Sequence, residues 1–158
     1  MRVLITGGAG FIGSNLTDNL ISGGHSVTVY DNFSTGRREF VAHLQGHPQF
    51  SLVEGDLLDE KLLMESVAEM DAVVHLAANA DVRFGWNHPR RDFEQNVLVT
   101  QNVLEAMRAN GVRRFLFSST GSVYGDCKVV PTPETAPFPI QTSLYGASKF
   151  AAEGLISS

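Results

Sequence analysis

The sequence predicts an α/β fold, in which a doubly wound parallel sheet is flanked by helices. Three observations support this prediction. Five short apolar runs alternate along the chain with segments of helical periodicity, an arrangement typical of βαβ units. A glycine-rich loop separates the first run from the first helical segment, and an aspartate closes the second run.

The elements of the first half follow from apolar runs and from glycines that end helices. Residues 2–6 (RVLIT) form the continuous apolar run expected of a strand buried on both faces. In residues 11–22, an apolar stripe at helical spacing precedes two glycines. The members of that stripe are Ile12, Leu16 and Leu20. Further strands are predicted at 25–31 and 50–56, and further helices at 37–45 and 59–70.

The second half continues the alternation. A strand is predicted at 71–78, a helix at 90–109 and a fifth strand at 113–119. The helix is expected to carry its apolar stripe on Val97, Leu104 and Met107. A loop follows that is dense in proline, which fixes φ and lacks a backbone donor. Its prolines are Pro131, Pro133, Pro137 and Pro139. A last helix is predicted from about Ser143.

Composition is typical of a globular protein and argues against several functions. Hydrophobic residues make up 43% and charged residues 18% of the chain. The net charge of -5 disfavours nucleic-acid binding, and no apolar stretch approaches the ~20 residues of a membrane helix. Cys127 is the only cysteine, so no intrachain disulfide can form. We therefore expect a cytoplasmic protein without nucleic-acid, membrane or metal partners.

The loop TGGAGFIG (6–13) places Gly7, Gly10 and Gly13 between the first predicted strand and the first predicted helix. Glycines at this spacing allow a tight turn, a close approach of backbone to a pyrophosphate, and packing of helix against strand. The helix N-terminus adds free N–H groups and a partial positive charge. The loop therefore predicts a dinucleotide site of the Rossmann type.

Asp31 closes the second predicted strand, 18 residues after Gly13. A carboxylate at this point accepts hydrogen bonds from the adenosine ribose and repels a 2′-phosphate. The sequence therefore favours NAD over NADP. Arg37 and Arg38 leave the alternative open, because an arginine near that position can accept the 2′-phosphate.

Tyr145 and Lys149 lie four residues apart in the last predicted helix and so share one face. A tyrosine hydroxyl normally titrates near pH 10, and an ammonium within ~4–6 Å lowers its pKa. Such a tyrosine can act as a general base toward a sugar hydroxyl. Ser118, Ser119 and Thr120 follow the fifth strand, at the end of the sheet where ligands bind. The alternative is an amphipathic helix without a catalytic role.

Seven motifs occur together and in order. They are Gly7-x-x-Gly10-x-x-Gly13, DNFSTG with Asp31, GDL with Asp56, HLAA at 75–78, QNV with Asn96, SST before VYG, and Tyr145-x-x-x-Lys149. In these motifs the chain resembles the extended short-chain dehydrogenase/reductase family, in its NAD-dependent epimerase/dehydratase branch. Within that branch it is most similar to the UDP-glucose 4-epimerases, and the resemblance runs through the whole chain.

The resemblance implies a role for each matching residue. Tyr145 would be the catalytic base, Lys149 would lower its pKa and bind the nicotinamide ribose, and Thr120 would complete the catalytic triad. The pyrophosphate of NAD would be held by Gly7, Gly10, Phe11, Ile12 and Gly13. The adenosine half would be bound by Asp31, Asn32, Ser34, Asp56 and Leu57. The nicotinamide half and the substrate side would be lined or supported by Leu76, Ala77, Ala78, Asn96, Ser118 and Ser119.

The two residues after Thr120 favour epimerisation. Dehydratases of this branch share an Asp-Glu pair directly after the threonine, and the sugar-acid decarboxylases share a glutamate two positions after it. Here those positions hold Gly121 and Ser122, which cannot supply a further acid or base. The resemblance therefore implies an NAD-dependent 4-epimerase of a nucleotide sugar, most simply a UDP-sugar, with hydride passing from sugar C4 to NAD and back.

Two alternatives stay open. One is an NAD(P)-dependent reductase or dehydrogenase on a related nucleotide sugar. The other is a non-catalytic dinucleotide-binding protein, which would not need the Thr-Tyr-Lys set. Family members continue into further strands and a substrate-binding domain. We therefore expect residues 1–158 to form an incomplete dinucleotide-binding domain, and the full-length form to dimerise through the helix at 90–109 and the last helix.

Overall fold

The computed structural model describes residues 1–79, 81–137 and 140–158. The chain divides into two compact parts. The first consists of Met1–Ala77 and Asn102–Ser118, and the second of Ala78–Gln101 and Ser119–Ser158.

The first part contains a five-stranded parallel sheet. Its strands are β1 (Arg2–Thr6), β2 (Ser26–Asp31), β3 (Phe50–Glu54), β4 (Ala72–His75) and β5 (Phe115–Phe117). They lie in the order β3-β2-β1-β4-β5, and each neighbouring pair is parallel. This order matches five of the six strands of the dinucleotide-binding fold, so the predicted doubly wound parallel sheet is confirmed.

The position of a strand in the sheet decides how deeply its apolar residues are buried. Leu52, Val29, Ile5, Val74 and Leu116 lie side by side across one face, from β3 at one edge to β5 at the other. Ile5 and Val29 are fully buried, whereas Leu52 is 40% and Leu116 58% exposed. The apolar runs of the two edge strands are therefore only partly covered among the described residues.

The helices are described by their bounds in chain order. They are α1 (Phe11–Ser22), α2 (Glu60–Val67), α3 (Pro89–Asp92), a π-helical turn (Phe93–Leu98), α4 (Val99–Asn110) and α5 (Leu144–Ser157). Short 3₁₀ turns occur at Arg38–Phe40, Ala42–Leu44, Phe84–Trp86 and Gly121–Tyr124. Within the described ranges, none of these helices is long and apolar enough to cross a membrane.

The predicted apolar stripe of α1 is wrong at one position. Ile12 is exposed, and the buried face of the helix runs from Gly13 to Ile21. Leu16 and Leu20 are half-buried and pack at the margin of the core cluster of the first part. Gly13, whose Cβ position lies 2.5 Å from the Gly7 carbonyl oxygen, faces the glycine loop, and the neighbouring Ile12 is left on the exposed side of the helix.

The predicted helix at 37–45 is also wrong. This segment forms two 3₁₀ turns on either side of Val41, whose φ of -121° and ψ of 0° are not helical. Val41 and Leu44 are its buried side chains. Their spacing of three residues suits the three-residue period of a 3₁₀ helix, and two anchors do not define an α-helical face.

The remaining boundaries differ from prediction mostly at the ends of elements. The strand predicted at 25–31 lacks only its first residue, whereas those predicted at 50–56, 71–78 and 113–119 lose residues that belong to the loops at the carboxyl edge of the sheet. The last two also start one and two residues later than predicted. The helix predicted at 59–70 ends at Val67, since Glu69 adopts a positive φ of 64°.

The helix predicted at 90–109 is confirmed as one helical run, but its apolar stripe is partly wrong. The π-helical turn adds a residue to one turn and so shifts the buried face. Met107 is buried as expected, while Val97 and Leu104 are only half-buried.

The last predicted helix is confirmed as α5. Pro131, Pro133 and Pro137 lie in irregular structure as expected, and Pro139 lies outside the described residues.

Candidate active site

The glycine loop of the first part is closed by contacts that leave no room for side chains. Gly7 has a φ of +68°, and a Cβ on it would lie 2.7 Å from the Ala77 nitrogen. A Cβ on Gly13 would lie 2.5 Å from the Gly7 carbonyl oxygen. The Gly7 N–H donates to the Tyr30 carbonyl at 2.9 Å. Glycine is therefore required at both positions by the turn itself.

The N-terminus of α1 presents backbone donors at the end of this loop. Gly10 precedes the helix without a side-chain cap, and its own N–H donates to the Gly7 carbonyl at 3.1 Å. The first N–H groups of any α-helix have no partner within that helix. Phe11 and Ile12, whose side chains are exposed, occupy this first turn. The predicted loop thus has the geometry of an anion site at a helix N-terminus.

Asp31 ties the glycine loop to the loop after β2. Its Oδ2 accepts a hydrogen bond from the Ala9 N–H at 2.9 Å, and its Oδ1 accepts one from the Phe33 N–H at 2.8 Å. The residue is only 8% exposed. Asn32 and Ser34 follow it on the exposed loop, where the Ser34 N–H donates to Asn32 Oδ1 at 3.0 Å.

The two arginines near Asp31 are both engaged with other side chains. Arg38 donates to Glu54 at 2.5 Å, and its guanidinium lies 4.0 Å from the centre of the Phe33 ring. The guanidinium of Arg37 lies over the Phe40 ring at 5.9 Å. Both guanidinium groups would have to leave these contacts to bind a 2′-phosphate. This arrangement favours NAD over NADP.

Asp56 and Leu57 adjoin the loop after β2. The Asn32 side-chain amide donates to Asp56 Oδ2 at 3.1 Å, and the Tyr30 hydroxyl donates to the Asp56 carbonyl at 2.9 Å. Burial, with the carboxylates of Asp59 and Asp56, raises the pKa of Tyr30 to about 12, so this hydroxyl remains a neutral donor. Leu57 is buried.

Leu76, Ala77 and Ser118 follow the carboxyl ends of β4 and β5. The Leu76 N–H donates to the Thr6 carbonyl at 3.0 Å, and the Ser118 N–H donates to the His75 carbonyl at 3.3 Å. Because parallel strands end at one edge of the sheet, these residues share that edge with the glycine loop and Asp31. The first part therefore brings together the predicted binding residues that belong to it.

His75, the last residue of β4, is a core residue. It is fully buried, shares a hydrogen bond of 2.6 Å with the Thr6 hydroxyl, and stacks with Phe115 and Phe117. In residues 1–79, 81–137 and 140–158, no group of three or more His, Cys, Asp or Glu is placed to hold a metal ion.

In the second part, α5 places Tyr145 and Lys149 on its buried face. They are 9% and 2% exposed, and Ser148 and Ala152 are buried with them. The helix begins after Ser143, whose hydroxyl accepts from the Gly146 N–H at 3.0 Å. The two predicted residues are thus held in one packed surface, as their spacing of four indicated.

The ammonium of Lys149 is in a poorly solvated environment. Burial lowers the pKa of Lys149 to about 8, and the Glu153 carboxylate opposes that effect. A lysine with this pKa is still predominantly charged at pH 7. It is therefore able to favour the charged form of a neighbouring phenol.

Thr120 lies on a short turn that packs against α5. Its hydroxyl accepts from the Ser122 N–H at 3.2 Å and donates to the Ser122 hydroxyl at 3.3 Å. A Cβ on Gly146 would lie 2.9 Å from the Ser122 carbonyl oxygen and 2.8 Å from Gln141 Oε1. Gly146, directly after Tyr145, thus permits close packing of α5 on the turn that carries Thr120.

Asn96 supports α5 from the π-helical turn. Its side-chain amide donates to the Ser148 hydroxyl at 2.8 Å, and that hydroxyl donates to the Tyr145 carbonyl at 2.8 Å. Asn96 Oδ1 accepts from the Asn79 N–H at 2.8 Å, and the Asn79 side chain donates to Asp92 Oδ1 at 2.8 Å. This chain of hydrogen bonds joins Asp92 to the backbone of Tyr145. Ala78 directly precedes Asn79 in the sequence.

Several residues of this arrangement were not predicted from the sequence. They are Asn79, Asp92, Gly146, Ser148 and Glu153. Of these residues, only Gly146 carried a signal, because a glycine inside a helix is costly and suggests close packing. Gly154 in the same helix carries the same signal without such packing. The polar residues carried none, since their partners are far away in sequence.

Comparisons with known proteins agree with this geometry. A family model described as "NAD dependent epimerase/dehydratase family" matches residues 3–158. The UDP-glucose 4-epimerase of Corynebacterium glutamicum is 40% identical over 158 residues, which are 100% of this chain and 46% of that protein. The UDP-glucuronic acid decarboxylase 1 of Xenopus tropicalis is 42% identical over 133 residues, which are 84% of this chain and 30% of that protein.

A solved structure leads to the same group of proteins. The UDP-glucose 4-epimerase of Thermus thermophilus, in complex with NAD, has a TM-score of 0.89 and 40% identity to this chain. The match covers 99% of this chain and 50% of that one. The chain therefore spans half or less of the length of these three relatives.

Proposed function

The chain belongs to the NAD-dependent epimerase/dehydratase family, and from that premise we propose that it is the dinucleotide-binding part of a nucleotide-sugar 4-epimerase. The observation that carries the proposal is the packing of Tyr145 and Lys149 on the buried face of α5. The substrate we propose is a UDP-sugar, as in the names of the relatives from C. glutamicum and X. tropicalis.

NAD is the cofactor of this family, so membership of the family confirms the predicted cofactor. The residues present fit the group, because the glycine loop turns tightly into the N-terminus of α1, which has no side-chain cap, and Gly10 adds no side chain at its ligand-facing surface. We propose that the first turn of α1 holds the pyrophosphate and that Asp31 accepts from the adenosine ribose. When bound, NAD supplies reversible oxidation at C4 of the sugar.

We assign the proton transfer to Tyr145. In this role its phenolate oxygen accepts the proton of the sugar 4-hydroxyl, and the resulting phenol later returns that proton. The Lys149 ammonium stabilises the phenolate, and it can do so while the pH stays below its pKa of about 8. Thr120 exchanges its hydrogen bond to the Ser122 hydroxyl for one to the reacting oxygen.

The residues after Thr120 support epimerisation over decarboxylation. The match to a UDP-glucuronic acid decarboxylase makes that reaction a candidate. Gly121 and Ser122 begin the 3₁₀ turn after Thr120, and neither has a carboxylate. With no carboxylate on this turn, we assign the proton transfers to Tyr145, and these are sufficient for reversible oxidation at C4.

We further propose that the complete protein dimerises through its helices. The π-helical turn and α5 pack against each other. Phe93 and Leu98 on the first and Leu155 on the second remain exposed in this chain. Exposed apolar side chains on neighbouring helices are typical of an interface.

The cytoplasmic location stays a prediction.

The first test is the Tyr145→Phe variant of the full-length protein. We expect it to lose about 10²–10⁴-fold in kcat for interconversion of UDP-glucose and UDP-galactose, the usual contribution of a general base. NAD content after purification should be unchanged, since the phenyl ring is retained. Tyr124→Phe, which alters a tyrosine outside α5, is the matched control and should stay within a few-fold of wild type. Retained activity in Tyr145→Phe would remove this residue from the mechanism.

A further inference from the structure

Glu153 links α5 to the segment that carries Thr120. It lies one turn after Lys149 on the same helix. The Ser119 hydroxyl donates a hydrogen bond to Glu153 Oε1, and Ser119 directly precedes Thr120. The Glu153 carboxylate therefore binds the residue next to Thr120 and also lies one helical turn from Lys149.

The same carboxylate acts on the charge of Lys149. The elements packed against α5 are α3, the π-helical turn and the 3₁₀ turns at Phe84–Trp86 and Gly121–Tyr124. Their titratable or charged residues are Arg90, Arg91, Asp92, Glu94 and Tyr124. Arg90 and Glu94 pair with each other at 2.6 Å. Glu153 is a charged group whose field acts on Lys149, and it opposes the effect of burial.

We propose that Glu153 is a positioning residue with two separable roles: its charge keeps Lys149 an ammonium over the working pH range, and its hydrogen bond holds the Thr120 segment against α5. This inference rests on the proposed function. A neutral Lys149 cannot stabilise the Tyr145 phenolate. Activity should therefore decline as the pH rises through the pKa of Lys149, which lies at about 8.

Two variants separate the roles. Glu153→Gln keeps an oxygen that can accept from Ser119 but removes the charge. Ser119→Ala keeps the charge but removes the hydrogen bond. We expect the alkaline limb of kcat/KM in Glu153→Gln to move to lower pH, because loss of the carboxylate makes Lys149 easier to deprotonate. We expect Ser119→Ala to lower kcat at all pH values while its alkaline limb stays in place.

A second measurement observes Lys149 without turnover. The full-length protein with NAD is labelled with ¹³C at the lysine ε-carbon, and the spectrum of Lys149→Arg assigns the Lys149 resonance. The titration midpoint of this resonance should fall in Glu153→Gln and remain unchanged in Ser119→Ala. Equal midpoints in Glu153→Gln and wild type would overturn the inference, as would identical pH profiles with a uniform loss of rate in both variants.

This design also separates the inference from the proposed function. If the protein has no epimerase activity but the Lys149 midpoint falls in Glu153→Gln, the proposed function fails and the electrostatic role of Glu153 stands. If the protein is active and the midpoint does not move, the inference about Glu153 fails alone. Should Glu153→Gln not fold, the midpoint is measured in Glu153→Asp. The Lys149 midpoint should fall in that variant as well, because the shorter side chain places the carboxylate farther from Lys149. An unchanged midpoint would overturn the inference.

Discussion

Individual glycines impose the tightest constraints on the proposed cofactor site. A Cβ on Gly13 would lie 2.5 Å from the Gly7 carbonyl oxygen and 2.6 Å from the Gly8 Cα, and backbone atoms cannot move aside cheaply. A Cβ on Gly10 would meet only the Gly7 carbonyl oxygen, at 3.2 Å. The two glycines thus have different roles, Gly13 in the packing of the loop and Gly10 at its ligand-facing surface.

This difference yields a prediction for Gly13→Ala and Gly10→Ala in the complete protein. Gly13→Ala should destabilise the fold by about 1–3 kcal/mol, as overpacking does, and should weaken NAD binding as a consequence. Gly10→Ala should unfold close to the wild-type temperature yet still bind NAD more weakly, because its methyl group obstructs approach to the pyrophosphate. Thermal unfolding and calorimetric titration with NAD measure the two effects. Equal unfolding temperatures for both variants would contradict this assignment.

At the scale of single residues, the sequence predicted those whose chemistry is local. The glycine loop, Asp31 and the Tyr145–Lys149 pair are identified by residue type and by spacing along one or two elements. The pairing of Ser119 with Glu153 joins residues 34 positions apart, and that of Asn96 with Ser148 joins residues 52 apart. Such partners are chosen by tertiary packing, so no local pattern marks them.

Among the elements, α5 offers an internal comparison between two glycines. Gly146 packs tightly on the Thr120 turn, with the Ser122 carbonyl oxygen 2.9 Å from where its Cβ would be. Gly154 lies on the same helix in open space, with nothing within 4 Å of its Cβ position. Alanine has the higher helix propensity at either site, so only packing distinguishes them.

We therefore predict opposite effects for Gly146→Ala and Gly154→Ala. Gly154→Ala should stabilise the protein by about 0.5–1 kcal/mol, the usual gain of alanine over glycine in a helix. Gly146→Ala should destabilise it and lower kcat, because α5 must move away from the Thr120 turn. Denaturant unfolding of both variants measures the difference. A stabilising Gly146→Ala would show that this close packing does not exist.

The elements that sequence reasoning misassigned share one cause. Apolar periodicity separates helix from strand, but it does not separate an α-helix from shorter or wider helical turns. The 3₁₀ turns around Val41 and the π-helical turn at Phe93–Leu98 differ from an α-helix by a single residue in their hydrogen-bond spacing. That register is fixed by what the segment buries, which for the π-helical turn includes Asn96.

On the scale of the whole molecule, the sheet is covered in its middle and exposed at β5. Leu116 continues the buried row of Ile5 and Val74 but lies at the edge. Beside it, an apolar groove of about 370 Å³ includes Leu16, Leu20 and Leu116. The chain also spans half or less of the length of the relatives described above. Activity is therefore a property to measure on the complete protein.

The most direct test of the account follows the hydrogen at C4 of the sugar. UDP-glucose carrying deuterium at C4 is incubated with the full-length protein in ordinary water, and the product is examined by mass spectrometry and NMR. We predict UDP-galactose that retains the deuterium at C4, with no net change in nicotinamide absorbance. Loss of the deuterium to water, or net accumulation of reduced nicotinamide, would contradict the proposal of a 4-epimerase acting through bound NAD.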